Sequence, residues 1–401
     1  MSRKMISADS HLDLSWLPPD VFVSNAPAHL RERMPRVEAT REGKRWYVGT
    51  KPFTWVASSG SDFGDDRYAP GVSRRLDRME ETGFFSDAEK GVLRVSTPAL
   101  RQRDQELDGV EAEVIYGILG VSAAYGARSP WSSSAGGASH GQAIEDAEAL
   151  SAVYEIYNEW IAEFCNSAPS RFAGLACITG TSPEVASRQL RRAADIGLRG
   201  AELDVSSMVE PIYHRDWDTL WATAAECSMP ISFHTLGMPW RHPKESDREA
   251  YRWVGAGLLY TLFQLSGAEF LASIIFSGAC DRHPDFRFVL GECGVGWIPY
   301  VLHRMDEEYE NFSSPIGLSM KPSELWRRQG YSTFQDEALS EEVIGIVGAD
   351  NIIWGADYPH PDGVWPDSRE TVERNLGHLD EATLSKLVYW NAAGLYRIPT
   401  T

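Results

Sequence analysis

Asn351–Asp362 reads N-I-I-W-G-A-D-Y-P-H-P-D. The apolar run Ile352–Trp354 has the length and β-branching of a short buried strand, and the glycine after it opens a turn. Asp357 and His360 therefore stand where the chain leaves a strand for a loop. In α/β enzymes, loops at the carboxyl ends of strands carry the chemistry. An aspartate between a strand and a proline is also a common turn former, so Asp357 gains chemical meaning only if other strand ends supply partners.

Seven further runs upstream read as strands: Lys4–Asp9, Glu113–Tyr116, Phe172–Ile178, Arg199–Leu203, Pro230–His234, Phe286–Glu292 and Tyr331–Phe334. Helical patterns alternate with them. Leu150, Val153, Tyr154, Tyr157, Ile161 and Phe164 fall on one helical face, and Ser182–Ile196, Asp216–Cys227, Gly255–Cys280, Gly296–Glu308 and Ser340–Ile346 read as helices. Thr97–Pro98 starts a helix that Asp108–Gly109 ends, with a cap residue before the proline and glycine past the end. Eight strands with intervening helices predict an α/β fold, a (β/α)8 TIM barrel, with residues 1–401 as one domain. Between strands 1 and 2, at about residues 20–108, no period dominates, so an irregular inserted cap is expected, with a possible hairpin at Arg45–Trp55 and a loop at Ser58–Asp65. Gly120–Gln142, rich in glycine, serine and alanine around Trp131, reads as a lid or a loose connection. No G-x-G-x-x-G fingerprint or phosphate-binding loop is present.

With Lys+Arg 38 against Asp+Glu 57, the net charge of −19 excludes nucleic acid and anionic membranes as partners. Met1–Ala8 lacks the apolar stretch of a signal peptide, and no later run is read as approaching membrane-spanning length, so a cytoplasmic protein is expected. Cys165, Cys177, Cys227, Cys280 and Cys293 are odd in number and form no C-x-x-C pair, which argues against a disulfide framework or zinc ribbon.

In a barrel, the carboxyl ends of the strands share one mouth. Asp9 and His11 follow the first strand, His234 the fifth, Glu292 the sixth and Asp357 the eighth. Asp9 and His11, two apart on an extended segment, point the same way. Any one of these residues alone is ordinarily structural. Together they form the imidazole and carboxylate mixture that holds a divalent cation such as Zn²⁺ or Mn²⁺. His360 is expected either as a substrate contact or in the turn. Trp16, Trp240 and Trp365 are candidate aromatic contacts for a small-molecule substrate, although tryptophans also fill cores.

The order D-S-H at Asp9–His11, R-D-Q-E-L-D-G-V-E-A-E-V-I-Y at Arg103–Tyr116 and P-I-S-F-H at Pro230–His234 resembles the amidohydrolase-related family, the branch that contains aminocarboxymuconate-semialdehyde and γ-resorcylate decarboxylases. So do F-S-G-A-C-D-R-H-P-D-F-R-F-V-L-G-E-C-G-V-G-W-I-P-Y at Phe276–Tyr300, W-G-A-D-Y-P-H at Trp354–His360 and W-N-A-A-G-L-Y at Trp390–Tyr396. The resemblance implies metal ligands at Asp9, His11, His234 and Asp357, a proton-handling role for Asp357, and a homodimer. Two positions depart from it. Asp9 stands where many members have histidine, and Glu292, with Val295 beyond it, stands where the decarboxylases carry a catalytic histidine. A carboxylate is better suited than a near-neutral imidazole to bind metal or to take a proton from water. The expected function is therefore a metal-dependent hydrolase acting on a small carboxylated or aromatic substrate through activated water, with Asp357 or Glu292 as base. A non-oxidative decarboxylase, with Asp357 protonating the carbon, is the alternative. A barrel that binds metal or ligand without catalysis is the third reading.

Overall fold

A computed structural model describes residues 3–58, 70–71, 73–127, 144–235, 244, 247 and 250–400. Eight strands pair in parallel in the order β1 (Ile6–His11), β5 (Ala112–Tyr116), β6 (Phe172–Ile178), β7 (Gly200–Leu203), β8 (Ile231–His234), β9 (Phe288–Gly291), β10 (Gly330–Phe334) and β11 (Ile352–Trp354). All residues of β1, β5 and β6 are buried, as expected for parallel strands covered by helices on one side and by the barrel interior on the other. The seam closes at the strand ends: Asp357 N–H donates to the Asp9 carbonyl at 2.7 Å and His11 N–H to the Tyr358 carbonyl at 2.6 Å. The predicted (β/α)8 TIM barrel is the observed fold.

Helix ends follow local chemistry. The Ser182 side chain accepts from Val185 N–H ahead of Pro183, and Gly109, at φ 77°, ends the helix Pro98–Asp108 where the sequence placed its stop. That helix carries Arg101, which pairs with Glu113 on β5 at 2.5 Å, and Asp104, which pairs with Arg94 at 2.5 Å; all four side chains are buried.

The cap is more ordered than its sequence suggested. β2 (Arg36–Ala39), β3 (Lys44–Val48) and β4 (Lys51–Trp55) form an antiparallel sheet, and the helices Arg74–Glu81 and Phe84–Glu89 follow. The predicted hairpin is β3 and β4; β2 was not anticipated. Most of the Ser58–Asp65 loop and most of Gly120–Gln142, with Trp131, lie outside the described residues.

Trp253–Phe276 is helical over 24 residues and apolar enough to cross a membrane by length and composition, contrary to the sequence expectation. A 3₁₀ turn at Phe263–Ser266 divides it, and Phe270, Leu271, Ile274 and Ile275 of its second half are buried in the core.

Candidate metal centre

The seam that closes the barrel also assembles the site. Gly355 follows β11, and a Cβ there would lie 2.4 Å from the Asp9 Cβ, so only glycine lets the end of β11 lie this close to β1. Two residues on, Asp357 takes φ 56°, and Glu292, just past β9, takes φ 53°. Both are left-handed conformations that an L side chain rarely adopts and that concentrate at functional sites.

The side chains converge as the strand ends require. His11 Nε2 lies 3.3 Å from Asp9 Oδ1 and 3.2 Å from Asp357 Oδ1. His234 Nε2 lies 3.8 Å from Asp9 Oδ1 and 3.7 Å from Glu292 Oε2. Asp9, His11 and His234 form one group with metal-ligand spacing, His11, Asp357 and His360 a second, and Glu292, Asp357 and Asp362 a third. Asp9 Oδ1, His11 Nε2, His234 Nε2 and both carboxylate oxygens of Asp357 are buried without a hydrogen-bond partner. Buried polar atoms are almost always paired, so this many unpaired donor atoms aimed at one point fit a divalent cation. The set contains no thiolate and mixes carboxylate with imidazole, as zinc and manganese sites do.

Neighbouring groups hold these side chains. Thr333, on β10, donates its hydroxyl to Asp9 Oδ2 at 2.8 Å and accepts the Glu292 N–H at 2.5 Å, tying β1, β9 and β10 together. The His11 carbonyl accepts from Arg101 at 2.9 Å. His360 stacks on His11 with ring centroids 4.1 Å apart, and its nitrogens sit 3.0 Å from Asp357 Oδ1 and 2.9 Å from Asp13 Oδ2.

Electrostatics divide the carboxyl groups into two kinds. Burial disfavours the charge on Asp357, but His360 and His11 outweigh it and hold the carboxyl well below the usual range. Burial likewise opposes ionisation of Asp9, which the adjacent imidazoles of His11 and His234 outweigh. Glu292 goes the other way: burial, then the charges of Asp357, Asp362 and Asp9, push it well above the carboxylate range. Burial and the Asp357 charge raise Asp362 to about 6. In the cation-free cluster these shifts favour the ionised form of Asp9 and Asp357 and the protonated form of Glu292.

Of the residues expected from sequence, Asp9, His11, His234, Asp357 and Glu292 come together. His360 joins them with both ring nitrogens already engaged. Trp16 is fully buried, 5.2 Å from Phe84, which in turn lies 5.5 Å from Trp365, so these rings join cap to barrel. Trp240 lies outside the described residues. Asp13 and Thr333 were missed. Asp13 extends the alternation D-x-H-x-D from Asp9, and Thr333 is a polar residue inside an apolar strand; both signals were present in the sequence.

The fold and the convergent donors define a metal-binding barrel of the enzyme type. The amidohydrolase family profile matches residues 125–398, more than half of the chain, and the chain belongs to that family. It is similar to γ-resorcylate decarboxylase of Polaromonas sp. (strain JS666 / ATCC BAA-500), 25% identical over 273 residues that cover 64% of this chain and 80% of the relative. A crystal structure of an amidohydrolase from Mycobacterium avium subsp. paratuberculosis K-10 superimposes with a TM-score of 0.69 at 17% identity, over 99% of this chain and 100% of the other. A dihydroxybenzoic acid decarboxylase from Polaromonas sp. JS666, solved with bound manganese and the inhibitor 2-nitroresorcinol, gives a TM-score of 0.58 at 21% identity, over 82% and 95% of the two chains.

These findings overturn the expectation of a hydrolase, because the curated relatives are decarboxylases. In the cation-free cluster, burial and neighbouring charges raise Glu292, while His360 and His11 outweigh burial and lower Asp357.

Proposed function

We propose that the chain is a non-oxidative, divalent-cation-dependent decarboxylase of an aromatic acid. The single observation that carries this is the convergence of Asp9, His11, His234 and Asp357 on one point with the Glu292 carboxyl 3.7 Å from His234, in a chain similar to aromatic-acid decarboxylases. Asp9, His11, His234 and Asp357 would hold the cation, and a set of two carboxylates and two imidazoles suits manganese. When bound, the cation supplies positive charge against the substrate carboxylate and an adjacent hydroxyl oxygen.

Glu292 then replaces Asp357 as the proton donor. It gives its proton to the ring carbon that bears the carboxylate, and the ring supplies the electron pair. The carbon–carboxylate bond breaks, its electrons restore the aromatic ring, and CO₂ leaves. Solvent reprotonates Glu292. Thr333 holds the Glu292 backbone, and His360 keeps Asp357 ionised and oriented.

We also read residues 1–401 as one functional unit, with about 20–108 as a cap joined through Trp16, Phe84 and Trp365. For the homodimer, the support is a set of exposed apolar side chains, Tyr251, Trp253, Val254 and Leu258.

The test is direct. Manganese-loaded protein is incubated with a panel of hydroxybenzoates, 2,6-dihydroxybenzoate included, in D₂O. CO₂ release with one deuterium on the vacated ring carbon is expected. Glu292→Gln should lower turnover by about 10²–10⁴-fold with metal content unchanged. A panel that yields no CO₂ while esters or amides are hydrolysed would sink the proposal.

A further inference from the structure

The reaction proposed above leaves Asp362 unused. Carboxylates of the nearby barrel wall are answered by partners: Asp104 has Arg94 and the Tyr358 hydroxyl, Glu113 has Arg101, and Asp108 has the backbone and hydroxyl of Ser368. Asp362 is not. Arg75, on the cap helix Arg74–Glu81, reaches its loop, but the guanidinium donates to the carbonyls of Asp362 and Gly363 and to the Asp336 carboxylate at 2.6 Å. These bonds fix the loop, and among the described residues no side chain donates to the Asp362 carboxyl.

That carboxyl converges on two others. One oxygen each of Glu292, Asp357 and Asp362 lie within 4.8 Å of one another. Asp357 is fully buried, and neither of its oxygens has a hydrogen-bond partner. His11 and His360 approach its Oδ1, at 3.2 and 3.0 Å, which leaves Oδ2 for a partner of its own. Glu292 Oε2 stands 3.7 Å from His234 Nε2, beyond hydrogen-bond reach. Buried polar atoms are almost always paired, so an oxygen left free beside two more carboxyl groups calls for a positive ligand. Glu292 and Asp357 are buried whereas Asp362 is partly exposed, which gives such a ligand its way in.

We propose that Glu292, Asp357 and Asp362 form a second cation site whose occupancy silences the reaction. Its donors are all carboxylate oxygens, so it takes a hard divalent ion such as Mn²⁺ or Mg²⁺. Asp357 is common to this set and to the one that holds the first ion. An ion held by Glu292 takes the place of that carboxyl's proton, which passes to solvent. The ring carbon then receives no proton, and the carbon–carboxylate bond stays intact. Excess metal is therefore an inhibitor. The site rests on the three carboxyl groups alone, and its effect on turnover rests on the decarboxylase reading.

The experiment titrates metal-free protein with Mn(II), counts the free ion by electron paramagnetic resonance, and follows CO₂ release from the hydroxybenzoate panel in the same samples. Wild-type protein is expected to take two ions per chain, the second more weakly. CO₂ release should rise with the first ion and fall by about 10²-fold or more as the second binds, the loss expected when the acid has no proton. Asp362→Asn and Asp362→Ala should keep the first ion, which also shows that they are folded, and should hold the second about tenfold or more weakly. Their turnover should not fall at the Mn(II) concentration that silences wild type. A second ion held unchanged by both variants, loss of both ions from variants that still melt cooperatively, or two ions with undiminished turnover overturns the inference. If wild type takes one ion and releases CO₂, the inference alone falls. If it takes one ion and releases none, both readings fall. If two ions bind, the variants lose the second, and no acid of the panel yields CO₂ at any Mn(II) level, the site stands and the decarboxylase reading falls.

Discussion

Loading the centre with Mn(II) must expel a proton from His11. Burial and the nearby charge of His360 depress the imidazole pKa, but the adjacent carboxylates of Asp357 and Asp9 more than offset them and raise it to about 9. A ligating imidazole has to be neutral. At pH 7 the proton is removed against roughly two pH units, about 2.7 kcal/mol at about 1.36 kcal/mol per unit, or about a hundredfold in affinity. The apparent Kd should therefore fall about tenfold for each pH unit between pH 7 and 8.5 and level off above about pH 9. Calorimetry in buffers of different ionisation enthalpy should find about one proton released per ion at pH 7. The same shift acts on the cation-free fold. Because the folded pKa is raised, its stabilisation is complete below the unfolded value of about 6.5 and is lost as pH rises through about 9. Thermal melts of metal-free protein should show that loss, and metal-loaded protein should not. A Kd independent of pH between 7 and 8.5, with no proton released, would refute the reasoning.

Three further outcomes follow from named contacts. Thr333→Val removes the donor to Asp9 Oδ2 and the acceptor of the Glu292 N–H, and should weaken Mn(II) binding by about tenfold or more and also lower the melting temperature. Arg101→Met leaves Glu113 buried and unpaired and should destabilise by about 3–5 kcal/mol, whereas Arg101→Met combined with Glu113→Leu should recover most of that in denaturant titrations. Wild-type protein should sediment as a homodimer and Trp253→Glu as a monomer of unchanged fold; an unaltered mass in the variant would exclude this surface from the interface.

The barrel was legible because its strands are buried on both faces, so that Phe172–Ile178 and Ile352–Trp354 read as unbroken apolar runs. The cap sheet was not, because β2 buries none of its four residues and therefore shows no core-facing alternation. The ligand positions were visible as polar residues at strand ends. The chemistry of Glu292 was not, because its protonation depends on the charges of Asp357, Asp362 and Asp9, which β1 and the loop after β11 bring to it from distant parts of the chain.

The seam between β1 and β11 explains why fold and chemistry share the same residues. Asp9 contributes its carbonyl to the hydrogen bond from Asp357 N–H and its side chain to the cation cluster, while His11 contributes its N–H to Tyr358 and its imidazole to the same cluster. Closing the barrel therefore brings carboxylates together before any cation is present, and their repulsion must be answered. Protons on His11 and His360 answer part of it; the raised pKa of Glu292 relieves the rest by keeping that carboxyl neutral. A cation that displaces the His11 proton keeps positive charge between Asp9 and Asp357, so the closed seam tolerates the exchange. Glu292, its Oε2 3.7 Å from His234 Nε2, borders the same cluster, and it is this carboxyl that the proposed reaction makes the proton donor.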